Sequence, residues 1–128
     1  MAIFPAATGD VLSAAMYNGL VTYTVSADQT ADYTLTLNDS YQVLIPMNKS
    51  TAVALKIPTD ATANIPVGSV ITVLNKGAGV CTISAVTAGT TTLSSAGASS
   101  AAPTLAQFKS CALIKVAANN WYCVGGIA

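Results

Sequence analysis

The chain has 128 residues, 52% of them hydrophobic and 8% charged, with five lysines balancing five aspartates and no histidine. That is one domain's length and one core, and with arginine and glutamate also missing it lacks both the near-neutral proton shuttle and the bidentate phosphate clamp. Lys49, Lys56, Lys76, Lys109 and Lys115 are scattered along the sequence, so no basic patch for nucleic acid can be read from it.

A charged fraction so far below the ~25% of ordinary soluble domains, at zero net charge, favours self-association. Much of the monomer surface is therefore expected to be buried against other subunits. The longest charge-free stretch, residues 77–108, is rich in Gly, Ser and Thr and nowhere offers the ~20 consecutive apolar residues of a spanning helix. Met1-Ala2-Ile3-Phe4-Pro5 has no basic residue ahead of an apolar run, so no secretory signal is expected. Cys81, Cys111 and Cys123 are odd in number and widely spaced, which predicts buried, reduced thiols made in a cytoplasm.

Residues 1–20 read as an arm followed by a short helix. Pro5 keeps the start extended. Thr8-Gly9-Asp10 can cap a helix over 10–18, in which Val11, Leu12, Ala15 and Met16 recur at helical spacing, and Gly19 stops it. So short a helix must dock on something. Ile3, Phe4, Val11, Leu12, Met16 and Leu20 are the apolar residues predicted to do so, against the chain's own β domain or, as the preferred reading, against another chain.

From residue 21 the grammar is β. Residues 21–25 alternate, as do 33–37, which places Leu35 and Leu37 on one face. Asn38-Asp39-Ser40 is a turn. Strands follow at 41–45, closed by Pro46, and at 51–57, closed by Pro58, with Val53, Leu55 and Ile57 inward. Residues 59–66 form a loop, and the nearly all-apolar run 69–74 suits a strand covered on both faces. Asn75-Lys76-Gly77-Ala78-Gly79 is predicted to turn that strand back into 80–84 as a hairpin. A brief strand at 90–93, a small-residue loop at 94–103 and a final hairpin of 110–116 with 121–124, turning at Ala118-Asn119-Asn120, complete the chain. About eight short, evenly spaced strands predict an all-β fold, a single-domain β-sandwich or jelly-roll-like fold over 21–128, with the arm and short helix over 1–20.

Candidate chemical groups read more simply as structure. The thiols have no histidine or arginine to activate them. Asp28 and Asp32 lack a third acidic partner for a metal, and Asp39, Lys49, Asp60 and Lys76 mark solvated turns. Lys56 sits on the outward face of its strand. Gly77-Ala78-Gly79 joins two strands, so no helix N-terminus is there to bind phosphate. Trp121 and Tyr122 fall on opposite faces, and Trp121 is expected to anchor the core or a subunit contact. No catalytic, cofactor or metal residue is predicted, and the expected role is structural, without a cofactor.

The stretch from Phe4-Pro5 through Thr8-Gly9-Asp10-Val11-Leu12-Ser13-Ala14-Ala15-Met16-Tyr17-Asn18 resembles the opening of many small bacteriophage virion proteins. So does the order Tyr33-Thr34-Leu35-Thr36-Leu37, Ala54-Leu55-Lys56-Ile57-Pro58, Ile65-Pro66-Val67-Gly68, Gly77-Ala78-Gly79, Ala112-Leu113-Ile114-Lys115-Val116 and Asn120-Trp121-Tyr122-Cys123-Val124-Gly125. It is similar to the β domains of capsid decoration (cement) proteins and of tail and head fibres. The resemblance implies a virion protein made in the host cytoplasm, a homo-oligomer, commonly a trimer, bound to the major capsid protein. Its length points to decoration, with a fibre module for receptor or glycan binding as the alternative. The nearest approach to a glycan-binding group is Asp28, Tyr33, Asp39 and Tyr41.

Overall fold

The structure is a computed structural model that describes residues 13–14, 23–99 and 101–127. Apart from the exposed Ser13 and Ala14, the predicted arm and short helix, with Ile3, Phe4, Val11, Leu12, Met16 and Leu20, lie outside the described residues.

The described residues form ten strands: β1 (Thr24–Val25), β2 (Tyr33–Thr34), β3 (Gln42–Met47), β4 (Val53–Ile57), β5 (Val70–Asn75), β6 (Cys81–Ala85), β7 (Thr92–Ser94), β8 (Thr104–Leu105), β9 (Ser110–Ala117) and β10 (Asn120–Gly125). They make a sandwich of a six-stranded sheet, ordered β1-β3-β5-β9-β10-β7, and a four-stranded sheet, ordered β2-β4-β6-β8. Consecutive strands from β1 to β9 alternate between the sheets. The chain thus advances in coils, each adding one strand to either sheet, and the like strands of successive coils pair in parallel: β1 with β3, β3 with β5, β2 with β4, β4 with β6. Antiparallel β9 and β10 then close the larger sheet against β5. The expected sandwich is present, but this parallel pairing is not that of a jelly roll, whose sheets are antiparallel.

Alternation within each strand fills the space between the sheets. Val43, Ile71, Leu113 and Cys123 are register partners across the large sheet, and Val53, Cys81 and Leu105 across the small one. All seven are buried, and removing one such side chain costs about 2–5 kcal/mol where Leu or Ile becomes Ala.

Parallel coils correct several expectations. Residues 75–79 are not a hairpin turn, because β5 and β6 lie in different sheets. They form an arch that stacks on the preceding arch, with the Gly79 N–H donating to Lys49 O at 3.0 Å and the Lys76 N–H to Met47 O at 2.7 Å. The buried Asn75 holds the arch. Its Nδ2 donates to Gly79 O and Leu105 O, both at 2.8 Å, and its Oδ1 accepts from the Gly77 N–H at 3.2 Å. A Cβ on Gly77 would overlap the Lys49 backbone, and one on Gly79 the Thr51 backbone. These glycines are there for close stacking, not for a reversal.

Pro46 does not end its strand, since β3 runs through it to Met47. Its carbonyl accepts from the Gln29 N–H at 2.8 Å, so its missing N–H faces the edge of the sheet, where little pairing is lost. Leu37 does not join Leu35 in the core. β2 stops at Thr34 and the chain turns, leaving Leu35 buried and Leu37 exposed. Strand β8, only two residues long, follows directly on the 94–103 loop and was not foreseen.

Two charged groups expected in solvent are held by the fold instead. Asp39 is buried and accepts from Tyr33 Oη at 2.5 Å, the Thr36 N–H at 2.8 Å and Thr36 Oγ1 at 3.3 Å. Burial, and then this bond to Asp39, push the Tyr33 hydroxyl up to about 12. Asp60 pairs with Lys115, whose ammonium is buried and donates to Asp60 Oδ1 at 2.7 Å, Ile65 O at 2.6 Å and Asn64 Oδ1 at 3.3 Å. The Asn119 N–H donates to Asp60 Oδ2 at 3.0 Å, and the Asp60 N–H to Asn119 Oδ1 at 2.8 Å. One ion pair therefore fastens the 59–66 loop to β9 and to the β9–β10 turn.

Candidate interaction face

The outer surface of the six-stranded sheet is built from the strand positions that do not enter the core. In β5 these are Val70, Thr72 and Leu74, which alternate with the buried Ile71, Val73 and Asn75. Register carries the pattern sideways. Val25 pairs with Leu44, Leu44 with Thr72, Thr72 with Ala112 and Ala112 with Val124. A second row runs from Gln42 through Val70, Ile114 and Tyr122 to Ser94. None of these ten residues is charged, and seven are apolar or aromatic. Val25, Tyr122 and Val124 are 63%, 46% and 49% exposed, while Leu44, Val70, Thr72, Ala112 and Ile114 are half-buried.

The opposite outer surface has another character. On the four-stranded sheet the outward residues are Thr34, Ala54, Lys56, Thr82, Ser84 and Thr104, with Lys56 exposed as its sequence position predicts. Asp32 lies beside them and accepts from the Ala54 N–H at 3.0 Å. One outer face is thus largely hydroxylic and bears a lysine, whereas the other is largely apolar and uncharged in these two rows.

Trp121, expected to anchor the core or a capsid or subunit contact, is a core residue 1% exposed. It falls on the inward phase of β10 between Leu93 on β7 and Lys115 on β9, so its indole is covered within its own chain. Its neighbour Tyr122 points the other way and is the aromatic residue of the outer face. Sequence reasoning set Tyr122 on the face opposite Trp121 but passed over Val25, Leu44, Val70, Ile114 and Val124. The signal was present in β5 and β9, where both phases of the alternation are largely apolar.

The described carboxylates are engaged within the chain. Asp28 accepts from Lys76 Nζ at 2.8 Å and 3.0 Å and from Asn48 Nδ2 at 3.0 Å, a ladder across three stacked arches. These bonds, from Lys76 first and then Asn48, hold the Asp28 carboxyl below the usual range. Asp39 is bound to Tyr33 and Thr36, so the two central members of the glycan-like group satisfy each other. Cys81, Cys111 and Cys123 are free and buried. Burial pushes the Cys81 thiol up to about 11. The hydrogen bond that the Cys111 thiol donates to its neighbour Cys123, together with burial, raises Cys111.

A shallow groove of about 380 Å³ lies between residues 94–99 and Tyr122–Val124. Beside it, where β7 meets β10, Thr91 Oγ1, Ser95 Oγ, Asn120 Oδ1 and Trp121 Nε1 are buried without a hydrogen-bond partner. Among the described residues no cluster of three or more His, Cys, Asp or Glu could hold a metal ion, and no helix is long and apolar enough to cross a membrane.

No protein-family model matches the chain, and no curated protein or solved structure matches it.

Proposed function

We propose that the chain is a non-enzymatic structural protein of a bacteriophage virion, a capsid decoration protein that works as a symmetric homo-oligomer and reinforces the shell by binding the major capsid protein. The observation that carries this reading is the sandwich with one uncharged outer face. Its rows Val25–Leu44–Thr72–Ala112–Val124 and Gln42–Val70–Ile114–Tyr122–Ser94 present no ion to a partner. A contiguous face of this kind fits permanent burial better than transient contact. The engaged carboxylates support a role without catalysis, because Asp28, Asp39 and Asp60 each bond side chains of their own fold.

The resemblance to virion proteins supplies the setting, and it rests on short motifs such as Ile65-Pro66-Val67-Gly68 and Asn120-Trp121-Tyr122-Cys123-Val124-Gly125. The fibre alternative draws on the coil topology, since parallel coils are a way to build an elongated body. Its glycan-binding form draws no support from Tyr33 and Asp39, which bond each other.

The test is to add the purified chain to phage heads assembled without it and image them. Density at regular positions on the shell, with greater resistance of the heads to heat, is the expected result. Density confined to the tail or fibres, or no binding, refutes decoration.

A further inference from the structure

We infer that the outer face of the six-stranded sheet is where copies of this chain pack against one another, which leaves the polar sheet and the loops to meet the shell. The inference deepens the proposed symmetric oligomer by assigning its surface, and it rests on that reading.

The first argument comes from β5. Its run of apolar residues has the composition of a strand covered on both faces, yet among the described residues the core covers only Ile71, Val73 and Asn75. Val70, Thr72 and Leu74 remain half-buried. Sequence and fold agree only if something further lies over this face.

Charge says what that is. A surface with no ions can meet its own copy without like-charge repulsion, and a symmetric contact must be self-complementary. Homo-oligomer interfaces are also the more apolar class. Area is consistent: six strands at ~4.8 Å spacing and ~3.3 Å per residue span roughly 25 by 20 Å. That is about 500 Å² in projection before side-chain relief, the same order as the ~800 Å² per partner of a stable interface.

The edges argue for face packing over strand addition. β1, β2 and β8 have two residues each and β7 has three, and edges that short offer little backbone to a neighbouring chain. Stacking of faces is the remaining way to bury the apolar surface, as sheets do at ~10 Å separation.

The experiment compares the unmodified chain, a Tyr122→Lys/Val124→Lys variant and a Ser84→Lys control on the polar sheet, by native mass spectrometry with circular dichroism. The expected result is an oligomer for the unmodified chain and the control, and a folded monomer, or association weakened at least tenfold, for the double variant. Tyr122 nitration in the unmodified protein gives a second reading that needs no variant. Slow nitration when assembled and faster nitration on dilution support the interface.

An oligomer of unchanged mass in the double variant overturns the inference and leaves the decoration reading standing. So does an oligomer whose Tyr122 is nitrated at a rate independent of concentration. A monomeric unmodified chain at micromolar concentration overturns the inference and the symmetric oligomer together, whereas failure to bind phage heads by an intact oligomer counts against decoration alone.

Discussion

Replacing Lys115 with Met tests whether the buried ion pair holds the 59–66 loop against the sheet. Methionine keeps a chain of similar length in the space that the lysine stem fills, so the change removes the cation more than the packing. Three acceptors lose their donor: Asp60 Oδ1, Ile65 O and Asn64 Oδ1. Stripping one partner from a buried pair costs about 3–5 kcal/mol, and an orphaned carbonyl about 1–3 kcal/mol. The Asp60 side chain is 19% exposed and keeps the Asn119 N–H, so water can meet part of the loss. The expected net cost is about 3 kcal/mol, a large share of the ~5–15 kcal/mol that holds a typical domain folded. Urea unfolding read by the fluorescence of Trp121 measures it, since the indole lies next to Lys115 in the register. Asp60→Asn supplies the other side of a double-mutant cycle, in which the double variant should lose at least about 1 kcal/mol less than the two single losses combined. A single-variant cost below about 1 kcal/mol, or strict additivity, would refute the reasoning.

Gly79→Ala should prevent folding or lower the melting temperature steeply, because its Cβ would enter the Thr51 backbone, whereas Gly89→Ala, with open space around it, should stay within about 0.5 kcal/mol of the parent. Thermal melts of the two side by side check this. Stability should fall as pH rises from about 9 towards 12. Cys81 and Tyr33 have ordinary values of 9.0 and 10.0 that the fold raises to about 11 and about 12, so the unfolded chain ionises first and is favoured. Melting in an alkaline series checks it, and Cys81→Ala and Tyr33→Phe should each flatten the decline. A bulky thiol reagent should leave all three buried cysteines unmodified until denaturant is added, as intact mass reports.

Much of the fold was legible because local chemistry and tertiary context agreed. Val53, Leu55 and Ile57 alternate in the sequence and face inward in β4, and the Ala118-Asn119 turn joins β9 to β10 as its composition implies. The arch at 75–79 was misread because a hairpin and an arch use the same residues. Asn, Gly and small side chains suit both, and only the pairing partner, which is remote in sequence, separates them. Pro46 misled for a related reason, since its effect depends on which side of the strand its nitrogen faces. Lys115 and Asp60 lie far apart in the sequence, and a lysine reads as solvent until the phase of Cys111 and Leu113 is extended two residues further along β9.

The candidate face was hidden by the same topology that produces it. A chain that alternates between sheets exposes one phase of every strand, and the character of each outer surface is then set by residues collected from separate coils. Val25, Leu44, Thr72, Ala112 and Val124 span about a hundred positions of sequence yet form one row. Taken singly, each is an ordinary exposed apolar or small residue of the kind every soluble protein carries. Their alignment follows from register: the parallel coils bring Val25, Leu44 and Thr72 side by side, and antiparallel β9 and β10 extend the row to Ala112 and Val124. The small sheet obeys the same rule with Thr34, Lys56 and Ser84 in a row, so register alone does not make a dry face. The difference lies in the residues placed at the outward phase, mostly apolar on one sheet and mostly hydroxylic or charged on the other. A lone sandwich in water gains nothing from that division, whereas a subunit that buries one sheet and wets the other needs it.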